Sequence, residues 1–285
     1  MSCPDCFAGH IHSGTPKGHV TTLHGLETYV SEPEDVAKNE VKGIVVIIPD
    51  AFGWEFVNNR LLADHYADMG KFRVYLPDFM HGSAAPVWTI DTLRAVQRTK
   101  MLWDWITKPY HIASLIYGVG GFMITNRPGK SYPIVESFFK SIRHSSEGHL
   151  SLGAAGFCWG GKHTVLLAHG AHTTHDNGET KNLIDAGFTG HPSMLTLPGD
   201  IEKITLPVSF ALAEFDVQLG EAKRGVLKNL MEGVEERVGG EVKVYLGAGH
   251  GFCVRADTNV DDSARQCGEA EVQAVEFFRR YFNKV

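Results

Sequence analysis

Residues 153–162 read GAAGFCWGGK, and how this stretch turns decides the fold. The apolar run LSLGAAGF (150–157) reads as a buried strand, and GGKHTVLLAHG (160–170) carries a helical pattern directly after it. Between them stand Gly156, Cys158 and Gly160, a G-x-C-x-G at a strand-to-helix turn. Such a turn forces its central residue into a strained backbone, and small residues two positions either side let strand and helix approach. Gly161 relaxes the crowding further. The sulfur is then lifted above the carboxyl edge of a sheet, where a helix N-terminus favours thiolate over thiol. The Trp159 amide becomes an oxyanion donor. Standing alone, Cys158 reads equally well as a small buried hydrophobe.

Working outward, strand-like apolar runs alternate with amphipathic helical patterns, as in parallel βαβ units with helices on both faces of a sheet. The strands are VKGIVVIIPD (41–50), RVYLPDF (73–79), LSLGAAGF, LIDAGFTGH (183–191), PVSFALAEFD (207–216) and EVKVYLGAGH (241–250). Helices are expected over 58–70, 91–106 with Pro109 just beyond its end, 160–170, 220–240 and 269–282. In the last of these Val272, Val275, Phe278 and Phe282 mark an apolar face. Between 110 and 147 the alternation breaks into a glycine-rich apolar piece, a turn at NRPGKSYP and the amphipathic IVESFFKSIR. This segment reads as a lid-like insertion, with packing filler as the alternative. The expected organisation is an N-terminal arm over 1–24 and one α/β domain over 25–285.

A nucleophile needs a base, and the base needs something to orient it. PVSFALAEFD delivers Asp216 at its end and EVKVYLGAGH delivers His250, both toward the edge that carries Cys158. Each has a plainer reading, Asp216 as a helix cap and His250 as a turn histidine. Three strand ends in the order Cys, Asp, His match the chain order of α/β-hydrolases. His250 then takes or shares the thiol proton, and Asp216 fixes its tautomer and stabilises its cation.

GFCWGG, AEFD and GHGF resemble the motifs of the dienelactone hydrolase family of α/β-hydrolases, over about residues 25–283. The leader CPDCFAGHIHSGTPKG is similar to that of fungal members. The resemblance implies an α/β-hydrolase fold, a Cys158, Asp216, His250 triad, and no cofactor. It also implies that the acidic residue in PDAFG, here Asp50 where the family usually has Glu, interacts with the resting nucleophile, and that Ala51 supplies the second oxyanion amide. Asp50 alone reads as a turn residue. Family members that bind a lactone carboxylate hold it with arginines, one of them four residues after the histidine. This chain has Val254 there and Arg255 one place later, and the second arginine has no clear counterpart, Arg94 and Arg98 falling on a helical segment.

The aromatics expected at the mouth, Phe52, Trp54, Trp88, Tyr117, Phe122, Trp159 and Phe252, with Arg255, point to a larger and more apolar substrate, although core packing explains such residues too. The expected activity is hydrolysis of an ester or lactone, of enol-lactone or polyketide-like type given the secondary metabolism of fungal relatives. A thioesterase or a non-hydrolytic lactone-tailoring enzyme is the alternative on the same fold, and a small-molecule binding protein the alternative of another class.

A net charge of -6 without a Lys/Arg block argues against a nucleic-acid partner. The longest apolar run, within 112–124, is too short to span a membrane. The start, MSCPDCFAGHIHSG, lacks the pattern of a secretory signal, and five scattered cysteines suit a reducing cytoplasm. The expected partners are the small-molecule substrate and a second copy in a homodimer. Cys3, Cys6, His10 and His12 have a zinc-like spacing without a second pair, so no metal is expected. His169, His172 and His175 read as a solvated loop, Cys267 as structural, and Cys253 raises the question of a second thiol near His250.

Overall fold

The computed structural model describes residues 9–35, 40–97 and 101–282. The chain opens with a hairpin, β1 (His19–Leu23) and β2 (Leu26–Ser31), and continues through β3 (Ile44–Ile48), α1 (Val57–Gly70), β4 (Arg73–Pro77), α2 (Thr89–Gln97), α3 (Leu102–Thr125) and α4 (Pro128–Arg143). Then come β5 (Leu152–Phe157), α5 (Trp159–Leu167), a small hairpin of β6 (His172–Thr174) and β7 (Thr180–Asn182), β8 (Ala186–Gly190) and the short α6 (Gly199–Glu202). The rest is β9 (Val208–Phe215), α7 (Glu221–Val238), β10 (Gly240–Gly249), α8 (Phe252–Arg255) and α9 (Asp261–Phe282).

The main sheet runs β1-β2-β4-β3-β5-β8-β9-β10. Every neighbouring pair from β4 to β10 is parallel, and only β1 with β2 and β2 with β4 are antiparallel. This is the mostly parallel α/β-hydrolase sheet the sequence predicts. The helices α1 and α9 pack together on one face, and α4, α5, α6 and α7 succeed one another along the other. Covered on both sides, β3 (IVVII) is buried at all five positions, which is why parallel strands read as unbroken apolar runs.

Several expectations need correction. Residues 19–23, read as part of an arm, form the edge strand of the sheet. The region 110–147 is helical: α3 continues through Pro109, and Pro128 opens α4 rather than closing a turn. A proline at the first helical position surrenders an amide that has no intrahelical partner anyway. Within α3, packing against α2 outweighs the one donor lost at Pro109. Since α4 buries Val135, Phe138, Phe139 and Ile142, it belongs to the core layer, and only α2 and α3 resemble a cover. The predicted helix over 91–106 corresponds to α2 and the start of α3, with 98–100 outside the described residues. In α9, Val275, Phe278 and Phe282 are buried as expected, but Val272 is exposed, and Ala274 and Phe277 complete the face instead. His172 and His175 lie on and beside the β6–β7 hairpin, where the His144 and His175 rings meet at 4.7 Å.

Candidate active site

The three residues singled out by sequence each follow the last residue of a parallel strand. Cys158 follows β5, Asp216 follows β9 and His250 follows β10, so the sheet delivers all three to one edge. Cys158 adopts φ 50° and ψ −109°, a conformation that costs a non-glycine residue about 1–3 kcal/mol. Its surroundings hold it there. Its amide donates to Gly190 O (3.1 Å), and its carbonyl accepts from the amides of Gly161 (3.1 Å) and Ser193 (2.9 Å). A side chain at Gly156 would collide with Gly160 O and Thr164 Oγ1, and one at Gly160 with Ile48 O, so the flanking glycines are sterically required.

His250 Nδ1 sits 2.8 Å from Asp216 Oδ2, and the other Asp216 oxygen accepts the Gln218 amide at 2.9 Å. Both side chains are almost wholly excluded from solvent. This contact directs Nδ1–H to the carboxylate and leaves Nε2 without an oxygen or nitrogen partner among the described residues. Burial alone would lower the imidazole, but the charge and hydrogen bonding of Cys158 and of Asp216 override it and raise His250 to about 10. The arrangement favours the imidazolium form of His250.

Two backbone amides face the same edge. Trp159 opens α5, so its N–H is among those a helix leaves without an intrahelical acceptor. That N–H shares a peptide plane with Cys158 O, which Gly161 and Ser193 pin. The Ala51 N–H shares a plane with Asp50 O, which accepts the Gly53 amide at 3.0 Å. Asn126, at the α3–α4 junction, braces both sides. Its carbonyl accepts the Trp159 indole N–H (2.7 Å), and its side-chain amide donates to Ser83 O (3.0 Å), two residues before the Ala85 amide that bonds Ala51 O (2.8 Å).

Asp50 is fully buried and forms an ion pair with Arg255, whose side chain is equally buried. Asn59 Nδ2 (3.0 Å) and the Phe52 amide (3.2 Å) also donate to it. Burial pushes the Asp50 carboxyl up, Arg255 opposes that, and the negative charge of Cys158 adds to it.

The described fold agrees with that of known proteins. The model of the dienelactone hydrolase family matches residues 26–282. The chain belongs to the dienelactone hydrolase family. It is a carboxylic ester hydrolase, of the lactone and ester class. It is 30% identical over 285 residues to hydrolase tropI of Talaromyces stipitatus, covering 100% of this chain and 97% of that one. To dienlactone hydrolase 1 of Gibberella moniliformis it is 24% identical, covering 88% and 82%. The crystal structure of a dienelactone hydrolase from Anabaena variabilis superposes with a TM-score of 0.54 at 12% identity, covering 95% of this chain and 99% of that one, which attests the shared fold.

Around this dienelactone hydrolase edge the other expected residues divide. Phe52, Trp54, Phe122, Trp159 and Phe252 are buried, and the ring of Phe122 meets that of Trp159 edge-on at 6.5 Å. Trp88 is 43% and Tyr117 84% exposed, the Trp88 ring lying against Gly118 of α3. Arg255 points inward and stacks over Phe52 at 5.2 Å, rather than outward to a substrate. Arg94 reaches Gly9 O and Asp91, so it holds the N-terminal segment down. His10 and His12 lie in that segment, His10 near Asp257 and His12 on Asn58 and Ala256. Cys3, Cys6 and Arg98 lie outside the described residues. Cys253 and Cys267 are buried, and burial drives both thiols up, so neither is a ready nucleophile. The sequence reading misses Asn59, Asn126, His191 and Ser193, although Asn126 opens the NRPG stretch and His191 ends the strand LIDAGFTGH.

Proposed function

We propose that the chain hydrolyses its ester or lactone through covalent catalysis by Cys158, assisted by His250 and Asp216. The observation that carries this reading is the buried His250 imidazole seated on the Asp216 carboxylate, at the strand edge that also presents a strained, buried cysteine. The Cys158 sulfur attacks the acyl carbon, the carbonyl π electrons move onto oxygen, and the Trp159 and Ala51 amides receive that charge. As the intermediate collapses, His250 gives its proton to the departing oxygen, leaving a thioester. His250 then takes a proton from water, the hydroxide oxygen attacks the thioester, and the acid departs as the thiolate–imidazolium pair is restored.

The substrate is an activated ester or enol-lactone, because a thiolate leaves more readily than the alkoxides of ordinary esters. It is also larger and less anionic than a small lactone carboxylate. Arg255 is committed to Asp50, and the buried walls near Cys158 are aromatic. Among the described residues the buried cysteines Cys158, Cys253 and Cys267 stand outside any disulfide, which supports a cytoplasmic setting. Intact mass spectrometry after exposure to an activated ester tests the mechanism. The expected result is one acyl adduct, mapped to Cys158 and absent from Cys158→Ala, with turnover reduced about 10⁴-fold or more in that variant. Undiminished turnover by Cys158→Ala would overturn it.

A further inference from the structure

The loop after β8 wraps the nucleophile turn. Gly190 O accepts the Cys158 amide at 3.1 Å, the Ser193 amide donates to Cys158 O at 2.9 Å, and Ser193 Oγ lies 3.3 Å from Cys158 Sγ. Between them His191 adopts φ 39°, and its amide is tied to Ala211 O at 2.8 Å. A non-glycine residue held at positive φ persists only where its surroundings over-determine it, and here Gly190 and Ser193 on either side of His191 make three contacts with one cysteine. Ser193 is 2% exposed.

We propose that Ser193 is a further catalytic residue, whose hydroxyl donates a hydrogen bond to the Cys158 sulfur and holds the anionic nucleophile in place until the acyl carbon arrives. The proposal rests on the reading of Cys158 as nucleophile. A thiolate can only accept, and a serine hydroxyl can donate, so the 3.3 Å contact has one direction once the proton resides on His250. The groups facing the sulfur support that assignment. His250, backed by Asp216, approaches from the end of β10, and Asp50, paired with Arg255, from the end of β3. Asp50 repels a sulfur anion, whereas Ser193, arriving from the opposite neighbour of β5, offsets that repulsion with a neutral donor. No proton leaves Ser193 during acylation. The sulfur lone pair forms the C–S bond, the His250 proton goes to the leaving oxygen, and the Ser193 O–H loses an acceptor whose charge has moved to the oxyanion.

The test is the pH dependence of Cys158 alkylation by iodoacetamide in the full chain, located by peptide mapping, which needs no knowledge of the substrate. In Ser193→Ala the midpoint should rise by about one pH unit, the effect of one charge-assisted hydrogen bond. The plateau rate at high pH should rise about 3-fold, because a more basic thiolate is a stronger nucleophile. General loosening of the site would not move midpoint and plateau together in this way. Ser193→Thr, which keeps the hydroxyl, should return both toward wild type, and Ser193→Gly removes the same hydroxyl if the alanine variant does not fold. Unchanged midpoint and plateau in a folded variant lacking the hydroxyl overturn the proposal while leaving Cys158 as nucleophile. Shifted alkylation, in a protein that forms no acyl adduct on Cys158, supports the Ser193 contact and counts against the nucleophile reading instead.

Discussion

The loops after β3 and after β8 flank the same cysteine and do comparable work with opposite chemistry. Both strands neighbour β5, so the topology alone brings residues 50–53 and 190–193 to either side of Cys158. The first loop presents a buried charge, Asp50, and neutralises it with Arg255 from 205 residues away. The second presents neutral groups, His191 and Ser193, and anchors them by backbone bonds to Cys158 and Ala211. A charged flank requires a distant partner to be tolerable, while a neutral flank requires only local geometry. The two loops should therefore fail differently when broken.

The largest effect belongs to the charged side. Arg255→Met leaves Asp50 buried without its counter-charge, and we expect a loss of about 3–5 kcal/mol in chemical denaturation. Adding Asp50→Asn to that variant should recover most of the loss, because the pair is then replaced by groups with no charge to strand. A single variant with wild-type stability would mean that Asp50 is already neutral in the folded protein.

Asn126 links the charged flank to the nucleophile turn itself, since it bonds the Trp159 indole on one side and the Ser83–Ala85 segment behind Ala51 on the other. Removing an oxyanion donor outright costs about 10²–10³ in rate. Asn126→Ala keeps both amides and the backbone carbonyl but releases the side-chain brace, so a loss of about 10-fold in kcat is expected, at nearly constant KM. A change confined to KM would assign Asn126 to substrate binding rather than to positioning the donors.

A sharper comparison uses the sulfur as the probe. Asp50→Asn removes a negative neighbour and should lower the pH midpoint of Cys158 alkylation by about one unit, the reverse of the rise expected for Ser193→Ala. Equal signs in the two variants would show that both act only by disturbing the turn.

The two flanks also differ in how they are written into the chain. Cys158, Asp216 and His250 were legible because parallel strands are continuous apolar runs whose ends can be counted, and G-x-C-x-G marks a turn by its own steric needs. Asp50 was legible only through the family motif around PDAFG. Ser193 and Asn126 left no such mark, since their partners lie 35 and 33 residues away and contact across strands imposes no local pattern. The helices α3 and α4 were obscured for another reason. Gly118, Gly120, Gly121, Pro109 and Pro133 all argue locally against helix, and tertiary packing outweighed them. Val272 illustrates the finer error, because a three-residue spacing from Val275 places a residue near a helix face without telling whether the sheet extends beneath it.

The smallest expected effect concerns His191, the buried base of the neutral flank. Its ring is fully enclosed, meets His250 edge-on at 4.9 Å, and has no hydrogen-bond partner among the described residues. Burial, with His250 and Arg255 adding positive charge nearby, holds it well below the ordinary histidine range. The unfolded chain therefore takes up a proton near pH 6.5 that the folded chain refuses, so this group's contribution is intact above that pH and is lost as pH falls below it. His163, lowered to about 4 by its own burial, acts in the same direction. His191→Phe replaces the ring with one that cannot titrate. Its unfolding free energy should decline less steeply between pH 6.5 and 5.5, by about 1 kcal/mol, in urea titrations compared with wild type. An unchanged slope would require that His191 take up its proton in the fold as readily as in the unfolded chain, which would place a second cation against His250 and undo the contrast between a charged and a neutral flank.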